Sequence, residues 1–150
     1  MVQNDPIEIL LIEDSPSDAH LAQRALANCS IECNVSHAKD GVEALAMLRQ
    51  EGDFSDYPRP DLIFLDLNMP RKDGRQVLGE LRDDAALGSI PVVVLTTSSD
   101  DTDIAETYRL GTNSYIVKPV ELQQFFDVVE ETQQYWFRTC ALPPKGGEVR

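Results

Sequence analysis

Short apolar runs alternate along the chain with stretches in which apolar residues return every three or four positions. Ile7 to Ile12 is β-branched and apolar, Leu62 to Leu65 is apolar throughout, and positions 91–95 read Pro-Val-Val-Val-Leu. Each is too short for a helix and predicts a strand buried on both faces. Ile31, Cys33 and Val35 alternate with polar neighbours, as on a half-buried edge strand, and Ser114 to Val117 predicts a fifth strand.

The intervening stretches carry helical spacing. Ser15 is placed as an N-cap with Pro16 at the first helical position, and positions 22, 25, 26 and 29 form the buried stripe. A second helix opens at Asp40-Gly41 with Val42, Leu45 and Leu48 inward; a third, Gly74 to Asp83, turns Val77, Leu78 and Leu81 inward. The fourth is capped within Ser98-Ser99-Asp100-Asp101 and runs through Leu110, with Gly111 as its C′ residue. The last spans about Glu121 to Arg138, with positions 122, 125, 129 and 136 facing the sheet.

Strands and helices in strict alternation predict an α/β fold: a doubly wound, five-stranded parallel sheet of order 2-1-3-4-5, flavodoxin-like, with five helices and right-handed crossovers. One domain is expected to fill 1–150, with its core at about 7–138, a flexible tail at 139–150 and no output domain. The connection 51–60 exceeds the roughly 2–6 residues usual between such elements and is read as a surface insertion.

Charge narrows the function. With 26 acidic against 13 basic residues, a net charge of -13 and a pI near 4.4, a general affinity for nucleic acid or anionic lipid is not expected. No apolar run approaches the ~18 residues that span a bilayer, and the start lacks the basic and apolar regions of a signal peptide. A cytoplasmic protein is expected. Cys29, Cys33 and Cys140 are odd in number and form no CxxC pair, so they are read as reduced thiols; His20 and His37 are isolated from any metal-ligand pattern.

The chemistry lies at the strand ends. Glu13 and Asp14 follow the first strand, Asp66 follows the third, and Thr96 and Lys118 close the fourth and fifth. In order 2-1-3-4-5 the first and third strands are neighbours at the topological switch point, so these residues converge on one crevice. Two carboxylates about 4 Å apart repel by roughly 4 kcal/mol at an effective dielectric near 20, which calls for a counter-cation. Mg²⁺, a hard ion preferring oxygen, is the natural candidate. Asp66 is then placed to attack phosphorus and form an aspartyl phosphate, with Lys118 and Thr96 on the phosphoryl oxygens. A cis bond at Lys118-Pro119 is one way to aim the ammonium inward.

These residues resemble the receiver domains of two-component response regulators. Leu-Leu-Ile-Glu13-Asp14 is similar to the family's acidic pair, Phe-Leu-Asp66-Leu-Asn68-Met-Pro70 with Asp73-Gly74 to its phosphoacceptor motif, and the segments ending at Thr96 and at Lys118-Pro119 to its two switch strands. The resemblance implies that Glu13, Asp14, Asp66 and the main-chain carbonyl of Asn68 bind Mg²⁺, and that Asp66 takes phosphate from a sensor histidine kinase. It also implies that Lys118 contacts the phosphate and that Thr96 and Tyr115 form a rotameric switch. Such a protein is a signalling phosphoacceptor, not an enzyme acting on other substrates. Tyr57-Pro-Arg-Pro60, Leu67-Asn68-Met69-Pro70-Arg71-Lys72-Asp73-Gly74 and Tyr135-Trp136-Phe137 resemble the narrower group that partners cyanobacterial phytochrome kinases, typically homodimers joined through the fourth helix, fifth strand and fifth helix. Phe125, Phe126, Tyr135, Trp136 and Phe137 exceed what the sheet-facing stripe needs, which independently suggests a covered dimer face.

Three other readings compete. A haloacid dehalogenase-like phosphohydrolase also uses a strand-end aspartate, but wants a second aspartate two positions on, where this chain has Asn68. A flavodoxin-like nucleotide binder lacks both a GxxxxGK[ST] loop and a GxGxxG fingerprint here. A phosphorylation-independent scaffold would use the dimer face alone.

Overall fold

A computed structural model describes residues 6–144, and within them the apolar runs form one parallel sheet. Its strands are β1 (Ile7–Ile12), β2 (Cys33–Ala38), β3 (Leu62–Leu65), β4 (Val92–Thr96) and β5 (Ser114–Val117), in the order β2-β1-β3-β4-β5. The helices are α1 (Pro16–Ala27), α2 (Gly41–Leu48), α3 (Gly74–Asp83), α4 (Asp101–Arg109) and α5 (Leu122–Gln134).

The period-two side-chain alternation of a strand divides the core into two layers. Leu10, Ile12, Ile63 and Leu65 pack toward α2 and α3, against Leu45, Leu48, Val77, Leu78 and Leu81. Ile9, Leu11, Leu62 and Phe64 point the other way, toward Ala22, Leu26, Phe125 and Val129 of α1 and α5. β3 is buried along its whole length between β1 and β4, so Asp66 is held at the end of a fully shielded strand.

Local chemistry fixes the helix starts. The Ser15 hydroxyl accepts from the Asp18 N–H with Pro16 in the first turn, the Asp40 carboxylate accepts from the Glu43 N–H, and Asp73 with Gln76 forms a reciprocal capping box. Gly111, at φ +105°, follows the last turn of α4 in a conformation that side chains rarely adopt.

Several expectations are corrected. Val42 is exposed, because the inward face of α2 runs through Gly41, Ala44, Leu45 and Leu48, and position 42 falls beside it. Leu122 is 56% exposed, since the first turn of α5 lies past the end of the core. The last helix does not run unchanged to Arg138: α5 passes at Tyr135–Thr139 into a π-helical turn closed by the Cys140 N–H on the Tyr135 carbonyl. Trp136 faces the α1/α5 core layer as expected, and Phe126 and Phe137 also pack partly buried against it, so most of the surplus aromatic surface is covered within the domain. Tyr135 stays exposed. Of the tail expected at 139–150, residues 145–150 lie outside the described residues; Pro143 and Pro144 sit beside Arg59, Pro60 and Pro91. The insertion at 51–60 is anchored, with Phe54 and Tyr57 stacked at 5.3 Å and packed on the core.

Candidate functional site

Sheet register assembles the crevice. Ile12 pairs with Leu65, and the Asp66 N–H donates to the Ile12 carbonyl at 3.0 Å, so Glu13 and Asp66 leave adjacent strands side by side. Carboxylate oxygens of Glu13, Asp14 and Asp66 all lie within 4.8 Å of one another. On the other side Thr96 pairs with Val117, and the Lys118 N–H donates to the Thr96 carbonyl at 2.7 Å.

Lys118 completes the cluster. Its Nζ donates to Glu13 Oε1 at 2.7 Å and lies 3.8 Å from Asp18 Oδ2. Among the described residues no peptide bond is cis, so the Lys118-Pro119 bond is trans and the ammonium reaches the crevice without the expected isomer. Burial raises the Glu13 carboxyl to about 7, against the hydrogen bond and charge of Lys118, and the neighbouring Asp66 charge pushes the same way as burial. Burial also disfavours the Lys118 ammonium, but the Glu13 hydrogen bond and the surrounding carboxylates outweigh it and hold that group above its usual range.

The backbone around Asp66 is tightly set. A Cβ at Gly74 would stand 2.5 Å from the Asp66 carbonyl oxygen and 2.8 Å from Leu67 Cα, so only glycine lets α3 start this close to the end of β3. The Gly74 N–H donates to the Leu67 carbonyl at 2.9 Å. Arg71 turns the intervening loop at φ +69° and pairs with the buried Asp40 at 3.2 Å, tying the loop to the N-cap of α2. Asn68 lies in this loop with its side chain exposed.

Thr96 is fully buried, and its Oγ1 has no hydrogen-bond partner among the described groups. A buried hydroxyl without a partner costs about 1–3 kcal/mol, which marks this oxygen as one that awaits an acceptor or donor. Tyr115 donates its phenol to the Ser98 carbonyl at 2.9 Å, two residues beyond Thr96.

Sequence reasoning therefore named the acidic cluster, the lysine and the two switch candidates, and the fold brings the cluster together. It missed Arg75, Asp103 and Ser98, which join α3 to α4, because nothing in the local pattern pairs residues 28 positions apart. It also missed Asp40 and Arg71 as partners; the only local sign was the helix-start pattern at Asp40-Gly41.

A model of the response regulator receiver domain matches residues 9–130. The chain belongs to the response regulator receiver family. The receiver is 43% identical over 140 residues to the response regulator Rcp1 of Synechocystis sp., covering 93% of this chain and 95% of that protein. Its fold is similar to that of the phosphorylated cyanobacterial phytochrome response regulator RcpA, with a TM-score of 0.89, 46% identity and coverage of 93% and 100% of the two chains. The Mn(2+)-bound form of Rcp1 superposes with a TM-score of 0.87, 42% identity and coverage of 93% and 100%. The haloacid dehalogenase reading finds no support in these matches. The acidic cluster of this receiver offers three oxygen donors to a divalent cation, the donor set such an ion prefers.

Proposed function

We propose that this receiver is the phosphoacceptor of a two-component pathway, with Asp66 taking a phosphoryl group from a phosphohistidine of a sensor histidine kinase in a Mg²⁺-dependent reaction. The convergence of Glu13, Asp14 and Asp66 within 4.8 Å, beside the Lys118 ammonium, carries the reading. An Asp66 oxygen attacks phosphorus, the P–N bond breaks, and the imidazole nitrogen keeps the electron pair. Glu13, Asp14, Asp66 and the Asn68 main-chain carbonyl would hold Mg²⁺, which would supply the positive charge that lets these carboxylates share the crevice with a phosphoryl group. Lys118 neutralises one phosphoryl oxygen, and the unpartnered Thr96 hydroxyl donates to another. With Asn68 where a phosphohydrolase needs an acid, the protein catalyses only its own phosphorylation and dephosphorylation.

Phosphorylation replaces the single negative charge of the Asp66 carboxylate with a phosphoryl group of about two, a net gain of about one, and adds strong acceptor oxygens. Thr96 moves toward the new acceptor, Tyr115 packs behind it, and the face made by α4, β5 and α5 changes. Tyr108, Val117 and Leu122 are exposed apolar groups on those elements, with Tyr135 just past the end of α5, which supports a homodimer joined there. The likeness to Rcp1 and RcpA supports a phytochrome-type kinase as partner. No helix of the described residues is long and apolar enough to cross a membrane, and the net charge of -13 disfavours nucleic acid, which supports a cytoplasmic signalling role.

Labelling with radioactive acetyl phosphate, or by a phytochrome-type kinase, in the presence of Mg²⁺ tests this. Wild type is expected to acquire label and Asp66→Asn to acquire none; undiminished labelling of Asp66→Asn refutes the assignment.

A further inference from the structure

α4 is held to the domain by polar ties more than by burial. Thr107 is its one buried residue, and its N-cap Asp100 makes no side-chain capping bond. Arg75, in the first turn of α3, reaches across to it. Its Nε donates to Glu106 Oε1 at 2.9 Å, and its Nη2 is hydrogen-bonded to Asp103 Oδ1. The other Asp103 oxygen accepts the Ser98 hydroxyl at 2.6 Å, and the Ser98 carbonyl accepts the Tyr115 phenol at 2.9 Å.

At its other end this chain of contacts is anchored on the phosphoacceptor segment. Gly74, the residue before Arg75, bonds the Leu67 carbonyl at 2.9 Å and packs so closely that a Cβ would lie 2.5 Å from the Asp66 carbonyl oxygen. A shift of the Asp66-Leu67 backbone therefore carries the first turn of α3 with it, and Arg75 with that turn. The Arg75 and Asp103 side chains are only 23% and 20% exposed, so their pairing is less screened than an ordinary surface ion pair. The planar guanidinium serves two carboxylates at once, a geometry that lysine lacks.

We propose that Arg75 is a positioning residue: it latches the first turn of α4 to α3 and thereby holds the Ser98 link where its carbonyl receives the Tyr115 hydroxyl. The latch deepens the reading of Asp66 as phosphoacceptor and rests on it, because it gives the Asp66 backbone a route to Tyr115 that needs no side-chain contact with a phosphoryl group. Arg75 regulates the switch and takes no part in phosphoryl transfer.

The test is fluorine NMR of protein carrying 3-fluorotyrosine, whose four tyrosine signals are separated and assigned with Tyr115→Phe. In unphosphorylated protein, Arg75→Gln is expected to move or broaden the Tyr115 resonance while Tyr57 and Tyr135 stay in place. Asp103→Asn breaks the same link from the α4 side and is expected to do likewise, and Arg75→Lys to restore the signal in part. Label uptake at Asp66 from acetyl phosphate is expected to persist in Arg75→Gln. An unchanged Tyr115 resonance in both variants overturns the latch, as does an equal change at all four tyrosines or a loss of uptake as complete as that of Asp66→Asn. Absence of label in wild type overturns the phosphoacceptor reading instead, and leaves the phosphate-free resonance comparison standing.

Discussion

Lys118 Nζ and Glu13 Oε1 stand 2.7 Å apart, joining residues 105 positions distant in the chain. Glu13 is 3% exposed, so its carboxylate depends on this ammonium for compensation within the protein. Replacing Lys118 with methionine keeps the stem and removes the charge. In metal-free buffer at pH 8, Lys118→Met is expected to lose about 3 kcal/mol of stability by urea denaturation, the scale for breaking a buried pair. At pH 5 the loss is expected to shrink, because the stranded Glu13 then takes up a proton. An equal loss at both pH values contradicts a charged Glu13 as the cause.

Cation affinity should follow the same carboxyl. Burial raises Glu13 to about 7 from an ordinary 4.5, so between those values the folded protein holds a proton that the unfolded chain releases. By linkage, this group makes the cation-free protein more stable on the acid side of that window and progressively less so as pH rises toward 7. A divalent cation must displace the proton, so the apparent Kd for Mg²⁺ by calorimetry is expected to weaken about tenfold from pH 8 to pH 6. A flat profile removes Glu13 from the ligand set.

Gly74→Ala tests the close approach beneath the phosphoacceptor. The added methyl would meet the Asp66 carbonyl oxygen at 2.5 Å and Leu67 Cα at 2.8 Å, both backbone atoms that no rotamer change relieves. A loss of about 1–3 kcal/mol is expected from such overpacking, together with slower labelling at Asp66 as the carboxylate is displaced. Wild-type stability and labelling rate in Gly74→Ala contradict this geometry.

Arg82 joins two loops, α3–β4 and α4–β5, at the opposite end of α3. Its guanidinium donates to the carbonyls of Gly88, Ile90 and Gly111 and to Asn113 Oδ1, all at 2.8–2.9 Å. Arg82→Ala takes this donor from the three carbonyls, while Asn113 Oδ1 keeps the Val92 N–H, and is expected to cost about 2–4 kcal/mol in thermal or urea unfolding. Arg82→Lys is expected to recover less than half, since one ammonium cannot reproduce the fork. Labelling at Asp66 in the folded fraction should be unaffected, because Arg82 lies far along α3 from the crevice.

Much of this protein is decided by local sequence. The apolar runs at Leu62 to Leu65 and Val92 to Leu95 predict strands in a sheet covered on both faces, and the chosen order 2-1-3-4-5, which the sheet adopts, brings the ends of β1 and β3 together. Period-two and helical spacing are properties of neighbouring residues, so the five strands, the helix starts at Ser15 and Asp40, and the crevice of Glu13, Asp14, Asp66 and Lys118 were legible in the sequence, whereas the Asp73 capping box was not. Tertiary structure alone decided where long side chains end. Val42 and Leu122 turned outward, Phe126 and Phe137 folded onto the α1/α5 layer, and Arg75 found Asp103 and Glu106 on another helix. A guanidinium or an indole spans several ångströms on rotatable bonds, so its partner is set by which elements pack nearby, a relation between distant segments that no local spacing encodes.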